Sequence, residues 1–206
     1  MRVSLENIGK KFGREWIFRG LNTHFSPETP TVILGANGSG KSTLLQIISG
    51  SLMQGEGSLH YEIGEKRIDQ DDLFRHVSFA APYLELMEEF TLAESIHFHG
   101  QFKSWRGDAQ EKLLLEISGL GHAKNKRLKN FSSGMKMRVR LLLAICSDTP
   151  LLLLDEPCSN LDAQAVEWYR QLIGEHTAGR TTIVCSNQLR DEYFFCTKEI
   201  RMEDYK

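Results

Sequence analysis

The sequence predicts an α/β fold built around a mostly parallel β-sheet. Three short apolar runs, at residues 31–34, 151–154 and 181–185, have the composition of buried strands. Apolar residues recur at helical spacing after the first run, in 42–49, and between the last two, in 166–173. Strands that alternate with helices favour a parallel sheet, because each helix carries the chain back to the starting edge of the sheet.

The middle of the chain has a different pattern. Residues 82–135, approximately, contain few strand signals, and apolar residues at helical spacing precede Gly119 within this segment. We therefore expect a helical insertion in the core there. No internal repeat or Pro/Gly-rich linker divides the sequence, so residues 1–206 are expected to form a single domain.

The overall composition is that of an ordinary globular protein. Hydrophobic residues make up 41% and charged residues 25% of the chain, which excludes disordered and fibrous classes. The net charge of −2 gives no general attraction to nucleic acid or to an anionic membrane. The longest apolar run, 141–146, is far shorter than the ~20 residues that span a bilayer, and the N-terminus lacks the apolar core of a signal peptide. We expect a cytoplasmic protein that reaches the inner face of a membrane only through a partner.

A glycine-rich loop lies between the first predicted strand and the helix that follows it. Residues 35–42 fit the pattern G-x-x-x-x-G-K-[ST] at every fixed position, in the strand–helix setting of phosphate-binding loops. The glycines allow a tight turn that aims backbone N–H groups at an anion, and the helix N-terminus adds its dipole. Lys41 supplies a positive charge for the β- and γ-phosphates, and the Ser42 hydroxyl is a ligand for Mg²⁺. The residues expected to bind the nucleotide here are Gly35, Asn37, Gly38, Ser39, Gly40, Lys41, Ser42 and Thr43.

Two carboxylates follow the second predicted strand. Asp155 and Glu156 come directly after the run 151–154, which would put both at the carboxyl edge of the sheet, where open α/β sheets bind their ligands. We expect Asp155 to hold Mg²⁺ through water and Glu156 to act as the general base that polarises an attacking water. The alternative is an ordinary strand end with solvated acids, and the phosphate loop in the same chain favours the site.

The segment 131–135, Phe-Ser-Ser-Gly-Met, carries a more specific signal. Here the sequence resembles the ABC ATPase family, whose signature Leu-Ser-Gly-Gly-Gln stands at the start of a helix. Ser132 and Gly134 match the signature, and the other three positions differ. Residues 159–162, after the acidic pair, resemble the D-loop of the family, and Phe12 resembles its adenine-stacking aromatic residue.

The resemblance implies one ABC nucleotide-binding domain. Its fold would be a P-loop NTPase core with an N-terminal antiparallel β portion and a helical subdomain, and its cofactors would be ATP and Mg²⁺. Ser132 and Gly134 would donate to the γ-phosphate of ATP on a second cassette, most simply an identical copy. Closure of the pair would drive a separate transmembrane permease subunit. No nucleic-acid partner is expected.

Two residues that the family uses are absent from this sequence. The family has a glutamine after the strand at 77–80, where this chain has Ala-Pro-Tyr at 81–83. It also has a histidine after the last core strand, where this chain has Asn187. The glutamine links Mg²⁺ to the helical subdomain, and the histidine contacts the γ-phosphate. Asparagine can still donate one hydrogen bond, so the resemblance implies catalytic roles for Lys41, Glu156 and Asn187 in a slow hydrolase.

Two functions therefore remain open at this point. The first is an ATP-binding and ATP-hydrolysing subunit of an ABC transporter that dimerises around two MgATP. The alternative, which the missing glutamine and histidine favour, is a nucleotide-gated interaction module with little or no ATP turnover. A DNA-repair or translation ATPase is least favoured, because the sequence contains neither a long coiled-coil insertion nor a second cassette.

Overall fold

The computed structural model describes residues 1–206 except for the side chain of Asp108. In the described chain the strands are β1 (Arg2–Phe12), β2 (Glu15–Phe25), β3 (Thr31–Leu34), β4 (Glu56–Ile63), β5 (Lys66–Arg67), β6 (Val77–Ala80), β7 (Leu151–Asp155), β8 (Thr181–Ser186) and β9 (Lys198–Arg201). The α-helices are α1 (Lys41–Ile48), α2 (Leu92–Gly100), α3 (Glu111–Ile117), α4 (Ser133–Cys146), α5 (Ala163–His176) and α6 (Arg190–Tyr193). Short 3₁₀ turns occur at Gln70–Arg75, Arg106–Asp108, Gly121–Ala123, Leu128–Asn130 and Met202–Tyr205. None of the described helices combines the length and the apolar character that a membrane crossing requires.

The strands form two sheets. One sheet has the order β6-β7-β8-β3-β9, and each neighbouring pair in it is parallel. The other has the order β2-β1-β4-β5, with antiparallel pairs throughout. The predicted α/β class with a parallel core and an N-terminal antiparallel portion is therefore confirmed. The three predicted strands are β3, β7 and β8, and the predicted helices at 42–49 and 166–173 correspond to α1 and α5.

Both faces of the parallel sheet are covered, which explains why its central strands β3, β7 and β8 are buried at every position. Within β3, Val32 and Leu34 pack into a core shared with α2, α3, α4 and α5. Ile33 points to the opposite face, into a second core that contains α1 and the inner residues of β1 and β2. Successive side chains of a strand alternate between faces, so a strand buried on both sides is predominantly apolar along its whole length.

Helices occupy the chain between β6 and β7. The predicted helical insertion at 82–135 starts directly after β6, and its predicted end falls in the first turn of α4. The helix continues to Cys146 because Leu141, Leu142 and Ile145 are fully buried in the core beneath it. This continuous helix connects the segment around Ser132 to the parallel sheet.

Because β3, β7 and β8 are parallel, the loops that follow them lie at the same edge of the sheet. In the register of β7 and β8, Asp155 lies opposite Cys185, and in that of β3 and β8, Leu34 lies opposite Ser186. The carboxyl ends of the three strands are therefore level. The loops that begin at Gly35, Glu156 and Asn187 leave the sheet side by side.

A buried glutamate joins two of these loops. Glu192, on α6, is only 3% exposed and accepts hydrogen bonds from the Cys158 backbone N–H at 3.1 Å and from the Ser186 hydroxyl at 2.5 Å. Burial raises the pKa of Glu192 to about 7, and the charges of Glu156 and Asp155 add to the rise. The loop after β7 is thus tied to the end of β8 by a carboxyl group that titrates near neutral pH.

Replacing Glu192 with glutamine should remove a pH dependence from the stability of the protein. The glutamate has an ordinary pKa of 4.5 in the unfolded chain, so between pH 4.5 and about 7 only the folded protein keeps this proton. The resulting stabilisation is complete below pH 4.5 and is lost as the pH rises to about 7. Relative to Glu192→Gln, the wild-type free energy of unfolding should therefore fall by roughly 3 kcal/mol across this window.

Urea titrations near pH 4.5 and near pH 7.5 measure this difference, with the exposed Glu116→Gln as the matched control. Parallel stability profiles for wild type and Glu192→Gln would show that Glu192 is not held with a raised pKa.

Candidate functional site

An open cavity of about 300 Å³ lies at the carboxyl edge of the parallel sheet. The loop between β3 and α1 forms one wall, the N-terminal part of β2 contributes a second, and the residue after β7 contributes a third. Its lining residues are Ile17, Asn37, Gly38, Gly40, Lys41, Ser42, Thr43 and Glu156. Most of the predicted phosphate-binding residues and the predicted general base therefore share one cavity.

Two glycines of the loop are required by close packing. A Cβ on Gly35 would lie 2.4 Å from the Ser39 hydroxyl oxygen, because the loop folds back on itself at this point. Gly40 has a φ of +101°, and a Cβ there would lie 2.7 Å from a methyl carbon of Ile17. The loop is thus pressed against β2 by contacts that larger residues would prevent. Gly35 and the buried Ser39 pack against each other within the loop and do not line the cavity.

The lysine of the loop is held inside its turn. Lys41 is 4% exposed, and its ammonium donates to the carbonyl oxygens of Gly35 at 2.7 Å and Ala36 at 3.2 Å. Helix α1 begins at Lys41 with Gly40 as N-cap, and no side chain caps its first amides. Free amides at a helix N-terminus and a fixed positive charge form a favourable site for an anion.

Asp155 lies beside this anion site. Its side chain is 1% exposed, and neither carboxylate oxygen has a hydrogen-bond partner among the described residues. Burial raises the pKa of Asp155, while the hydroxyls of Ser42 and Tyr83, which face the carboxylate, and the charge of Lys41 oppose the rise. A buried carboxylate whose oxygens lack hydrogen-bond partners is well suited to bind a cation.

The residues present fit a magnesium ion. No group of three or more His, Cys, Asp and Glu side chains in the described structure is arranged to hold a metal ion unaided. Mg²⁺ is usually bound by one or two protein groups, water and the phosphates of a nucleotide, so a dedicated protein cage is not needed. Asp155 and the Ser42 hydroxyl, next to the phosphate loop, provide that partial set of ligands.

Glu156 is turned towards the cavity by an uncommon backbone conformation. Its φ is +43°, in the left-handed region that non-glycine residues rarely adopt. Its backbone N–H donates to the Cys185 carbonyl at 2.9 Å, which fixes the turn against β8. The chain leaves β7 at this point, and Glu156 lines the cavity together with residues of the phosphate loop. Strain of this kind occurs at functional sites, where surrounding contacts hold it in place.

Besides Gly35, Ser39 and Asp155, four of the sequence-predicted site residues do not line this cavity. Phe12 lies at the end of β1, 54% exposed, with the Lys10 ammonium 5.2 Å from its ring centroid. Asn187 is exposed in the loop after β8. Ser132 and Gly134 lie at the start of α4, where Ser132 is the N-cap and its hydroxyl accepts from the Met135 N–H at 3.2 Å.

Gly134 is closely packed against the loop that follows the acidic pair. A Cβ on Gly134 would lie 2.7 Å from the Asn160 carbonyl oxygen, and Asn160 has a φ of +62°. The signature segment and the D-loop-like segment 159–162 are therefore in direct contact within one chain. A side chain at Gly134 would force them apart.

Two residues of the site were not predicted from the sequence. Ile17 forms part of the cavity wall, because β2 crosses above the phosphate loop, and the alternation of β2 alone does not reveal that position. Tyr83 brings its hydroxyl towards Asp155 and Gln46. The only sequence signal for Tyr83 is its place directly after the Ala-Pro pair where the family has glutamine.

Comparisons with known proteins identify the family of this chain. Residues 18–159 match the sequence model of the ABC transporter family. The chain is 33% identical over 193 residues to the cytochrome c biogenesis ATP-binding export protein CcmA of Mesorhizobium japonicum, and the match covers 92% of each chain. It is 34% identical to the sulfate/thiosulfate import ATP-binding protein CysA 1 of Shewanella oneidensis, covering 85% of this chain and 49% of that protein.

Solved structures agree in fold. The dimeric ATP-binding cassette MJ0796, in a post-hydrolysis state with ADP and Pi, superimposes with a TM-score of 0.81 over 97% of this chain and 93% of that chain, at 24% identity. That level of identity supports the fold alone. Together with the family match across most of the sequence and the full-length similarity to CcmA, these findings show that the chain belongs to the ABC transporter family of ATP-binding cassettes.

Proposed function

We propose that this chain is the ATP-binding and ATP-hydrolysing subunit of an ABC transporter. The observation that carries the proposal is the cavity lined by the phosphate loop and the strained Glu156, with the buried Asp155 beside Ser42 of that loop. The names of the relatives CcmA and CysA 1 describe an export and an import protein, so similarity does not fix the direction of transport.

ATP would bind with its β- and γ-phosphates against the first amides of α1 and the Lys41 ammonium. That ammonium is already held by carbonyl oxygens on one side, so it needs little rearrangement to face a phosphate. Ser42 and Asp155 would hold Mg²⁺, which supplies neutralisation of the charge on the phosphate oxygens. Phe12 is proposed to stack on the adenine.

Hydrolysis requires a water in line with the γ-phosphate. Glu156, on the opposite wall of the cavity, is proposed to accept a proton from that water as its oxygen bonds to phosphorus. The bond between the γ-phosphorus and the bridging oxygen breaks, and ADP leaves with the electron pair. Asn187 would donate its amide to the γ-phosphate from the loop after β8.

A second copy of the chain would complete the site. Ser132 and Gly134, at the N-terminus of a 14-residue helix, do not line the cavity of their own chain. They are therefore available to donate to the γ-phosphate of a nucleotide bound by the partner. The reciprocal arrangement gives two equivalent sites that close with ATP and open after hydrolysis.

The proposed membrane partner is a separate permease subunit with a short helix at the cytoplasmic face. A groove of about 180 Å³ lies between the end of β6 and the helices α2 and α4, and could receive such a helix. Apolar side chains stand exposed on the same helical part of the molecule, namely Met87, Phe98 and Phe102. Their exposure supports a protein contact on this side.

Nucleic acid is not proposed as a partner, because five of the seven Lys and Arg residues in the segment 121–140 are engaged within the chain. Arg127 and Lys129 pair with Glu89, and Lys136 pairs with Glu88. Other members of the segment donate to backbone carbonyl oxygens, Arg138 to Ser118 and Arg140 to Leu84. This leaves little positive surface for a phosphate backbone.

A nucleotide-gated module with little turnover is the second candidate function. It is favoured by Asn187, which stands exposed where the family has a histidine, and by the absence of the family's glutamine after β6. The two candidates differ in a single measurable quantity, the steady-state rate of phosphate release.

Glu156→Gln should keep ATP binding, stop hydrolysis and trap an ATP-bound dimer. Glutamine fills the same space but cannot accept the proton of the attacking water. Sizing chromatography in MgATP and phosphate release measure the two effects, with the exposed Glu167→Gln as the matched control. A variant that stays monomeric would contradict the dimer, and a variant that hydrolyses at the wild-type rate would contradict the assignment of the base.

Asn187→His should raise the rate of hydrolysis about tenfold or more while changing ATP affinity little. One well-placed donor to a developing anion is worth on the order of 10²–10³ in rate, and the asparagine amide retains part of this. Phosphate release is compared for wild type and Asn187→His, with Glu156→Gln as the zero and the exposed Asn125→His as control. Equal rates for wild type and Asn187→His would show that asparagine suffices, and no hydrolysis by either would favour the gated module.

A further inference from the structure

The buried carboxyl group of Glu192 joins the two loops that carry the proposed general base and the proposed donor to the γ-phosphate. One of its oxygens accepts from the Cys158 backbone N–H and the other from the Ser186 hydroxyl. Cys158 follows Glu156 by two residues, and Ser186 directly precedes Asn187. Glu192 does not line the cavity, so it acts on a bound nucleotide only through these loops.

The Ser186 hydroxyl closes the turn that contains Asn187. Its oxygen accepts from the Leu189 backbone N–H at 3.2 Å, while its hydrogen reaches Glu192. Gln188, within this turn, has a φ of +66°, in the left-handed region that non-glycine residues rarely adopt. A turn of this kind keeps its shape only where surrounding contacts hold it. Without an acceptor at residue 192, the hydroxyl is free to donate to the Leu189 carbonyl at 3.4 Å instead.

The Cys158 amide ties the loop after β7 to the same carboxyl group. Glu156 has a left-handed backbone, with a φ of +43°, and its carbonyl accepts from the Ser159 N–H at 2.9 Å to form a tight turn. Cys158 lies inside this turn, 5% exposed, and donates its N–H to Glu192 at 3.1 Å. Loss of the carboxyl would leave a buried donor without this acceptor, and a shift of the turn, together with Glu156, would relieve the cost.

Helix α5 holds Glu192 from the other side. The Glu192 backbone carbonyl accepts from the hydroxyl of the fully buried Tyr169 at 2.7 Å. The adjacent Asp191 pairs with Arg170 of the same helix at 2.6 Å. These two contacts fix the short helix α6 to α5, which is part of neither loop. The carboxyl group is therefore a fixed point to which both loops are tied.

We propose that Glu192 is a positioning residue that holds Glu156 and Asn187 in the geometry required for hydrolysis. The inference rests on the proposed function, since it takes Glu156 as the general base and Asn187 as the donor to the γ-phosphate. The hydrogen bonds of the Glu192 carboxyl end in the loops after β7 and β8, and the phosphate loop is neither of these. Glu192 should therefore influence the rate of hydrolysis and not the affinity for ATP.

The first test separates rate from binding in Glu192→Ala, with the exposed Glu116→Ala as the matched control. Phosphate release gives kcat and KM, and a fluorescent ATP analogue gives the dissociation constant. Glu192→Ala should lower kcat about tenfold or more, because a misplaced catalytic group loses much of its effect, and should change KM and affinity less than about twofold. Glu116→Ala should behave as wild type.

Glu192→Gln should rescue the rate. Its amide oxygen accepts the Cys158 N–H, and its NH₂ group donates to the Ser186 oxygen, so both loops stay tied. We expect a kcat within about threefold of wild type. A Glu192→Gln variant as slow as Glu192→Ala would contradict a role that consists of holding the two loops.

A double-mutant cycle tests whether Glu192 acts through Asn187. Asn187→Ala removes the proposed donor itself, so in that background Glu192→Ala can misplace only Glu156. Its effect on kcat should fall to about threefold. Ser186→Ala, which cuts only the link to Asn187, should lower kcat in the wild-type background and have no further effect on Asn187→Ala. This variant also carries the test if Glu192→Ala does not fold.

Hydrogen exchange reports the two contacts in the absence of ATP. The amides of Cys158 and Leu189 should exchange faster in Glu192→Ala and stay protected in wild type and in Glu192→Gln. Unchanged protection of both amides in Glu192→Ala would show that Glu192 does not hold the loops.

The outcomes separate the inference from the proposed function. A wild type that binds MgATP but releases no phosphate overturns the proposed hydrolysis, and the role of Glu192 in it falls at the same time. A wild type that hydrolyses ATP, together with a Glu192→Ala variant of equal kcat, overturns only the role of Glu192. A loss that appears in affinity, or that is the same with and without Asn187, also overturns it, because either result indicates general damage to the fold.

Discussion

A buried carboxylate without a partner is unfavourable, and the architecture of the site depends on the one at Asp155. The residue ends β7, a strand with neighbours on both sides, so its side chain cannot move to solvent without breaking the sheet. Its pKa is raised by burial, and the Ser42 and Tyr83 hydroxyls that face the carboxylate oppose this rise without making a hydrogen bond of good geometry. The folded protein therefore contains a buried carboxyl group whose charged form a cation would stabilise.

The surrounding charges make the nucleotide-free state responsive to its ligand. Glu156 and Glu192 lie close enough to Asp155 for their charges to interact, while Lys41 on the facing loop opposes them. MgATP would bring a cation to the carboxylates and an anion to the lysine and the α1 amides. The carboxylates would be stabilised by the cation, and the lysine and the α1 amides by the anion. This stabilisation provides the difference in binding free energy between two states that a two-state change requires. Tyr83 and Glu192 connect this edge of the sheet to its neighbouring loops.

The sequence predicted those parts that depend on local patterns. The runs at β3, β7 and β8 are largely apolar because both faces of the sheet are buried. The phosphate loop is equally local. The strands β1 and β2 gave no comparable pattern, because bulges shift their register between Leu5 and Ile8 and again before Lys11. Their antiparallel pairing was expected from the family resemblance alone.

The contacts that could not be predicted are those between distant segments. Tyr83 and Glu192 resemble ordinary loop and helix residues in the sequence, and only the folded chain brings them to Asp155 and Ser186. Ile17 reaches the cavity only because the antiparallel sheet lies across the phosphate loop. Sequence patterns report the environment of one element at a time, so a residue whose role depends on two elements leaves no signal.

The most direct test is the thermal stability of Asp155→Asn with and without MgATP. If Asp155 is an unpartnered charge that awaits a cation, the nucleotide-free variant should melt at a higher temperature than wild type. MgATP should then stabilise the variant much less than it stabilises the wild type. An Asp155→Asn protein that melts lower than wild type without ligand and gains as much stability from MgATP would contradict the account.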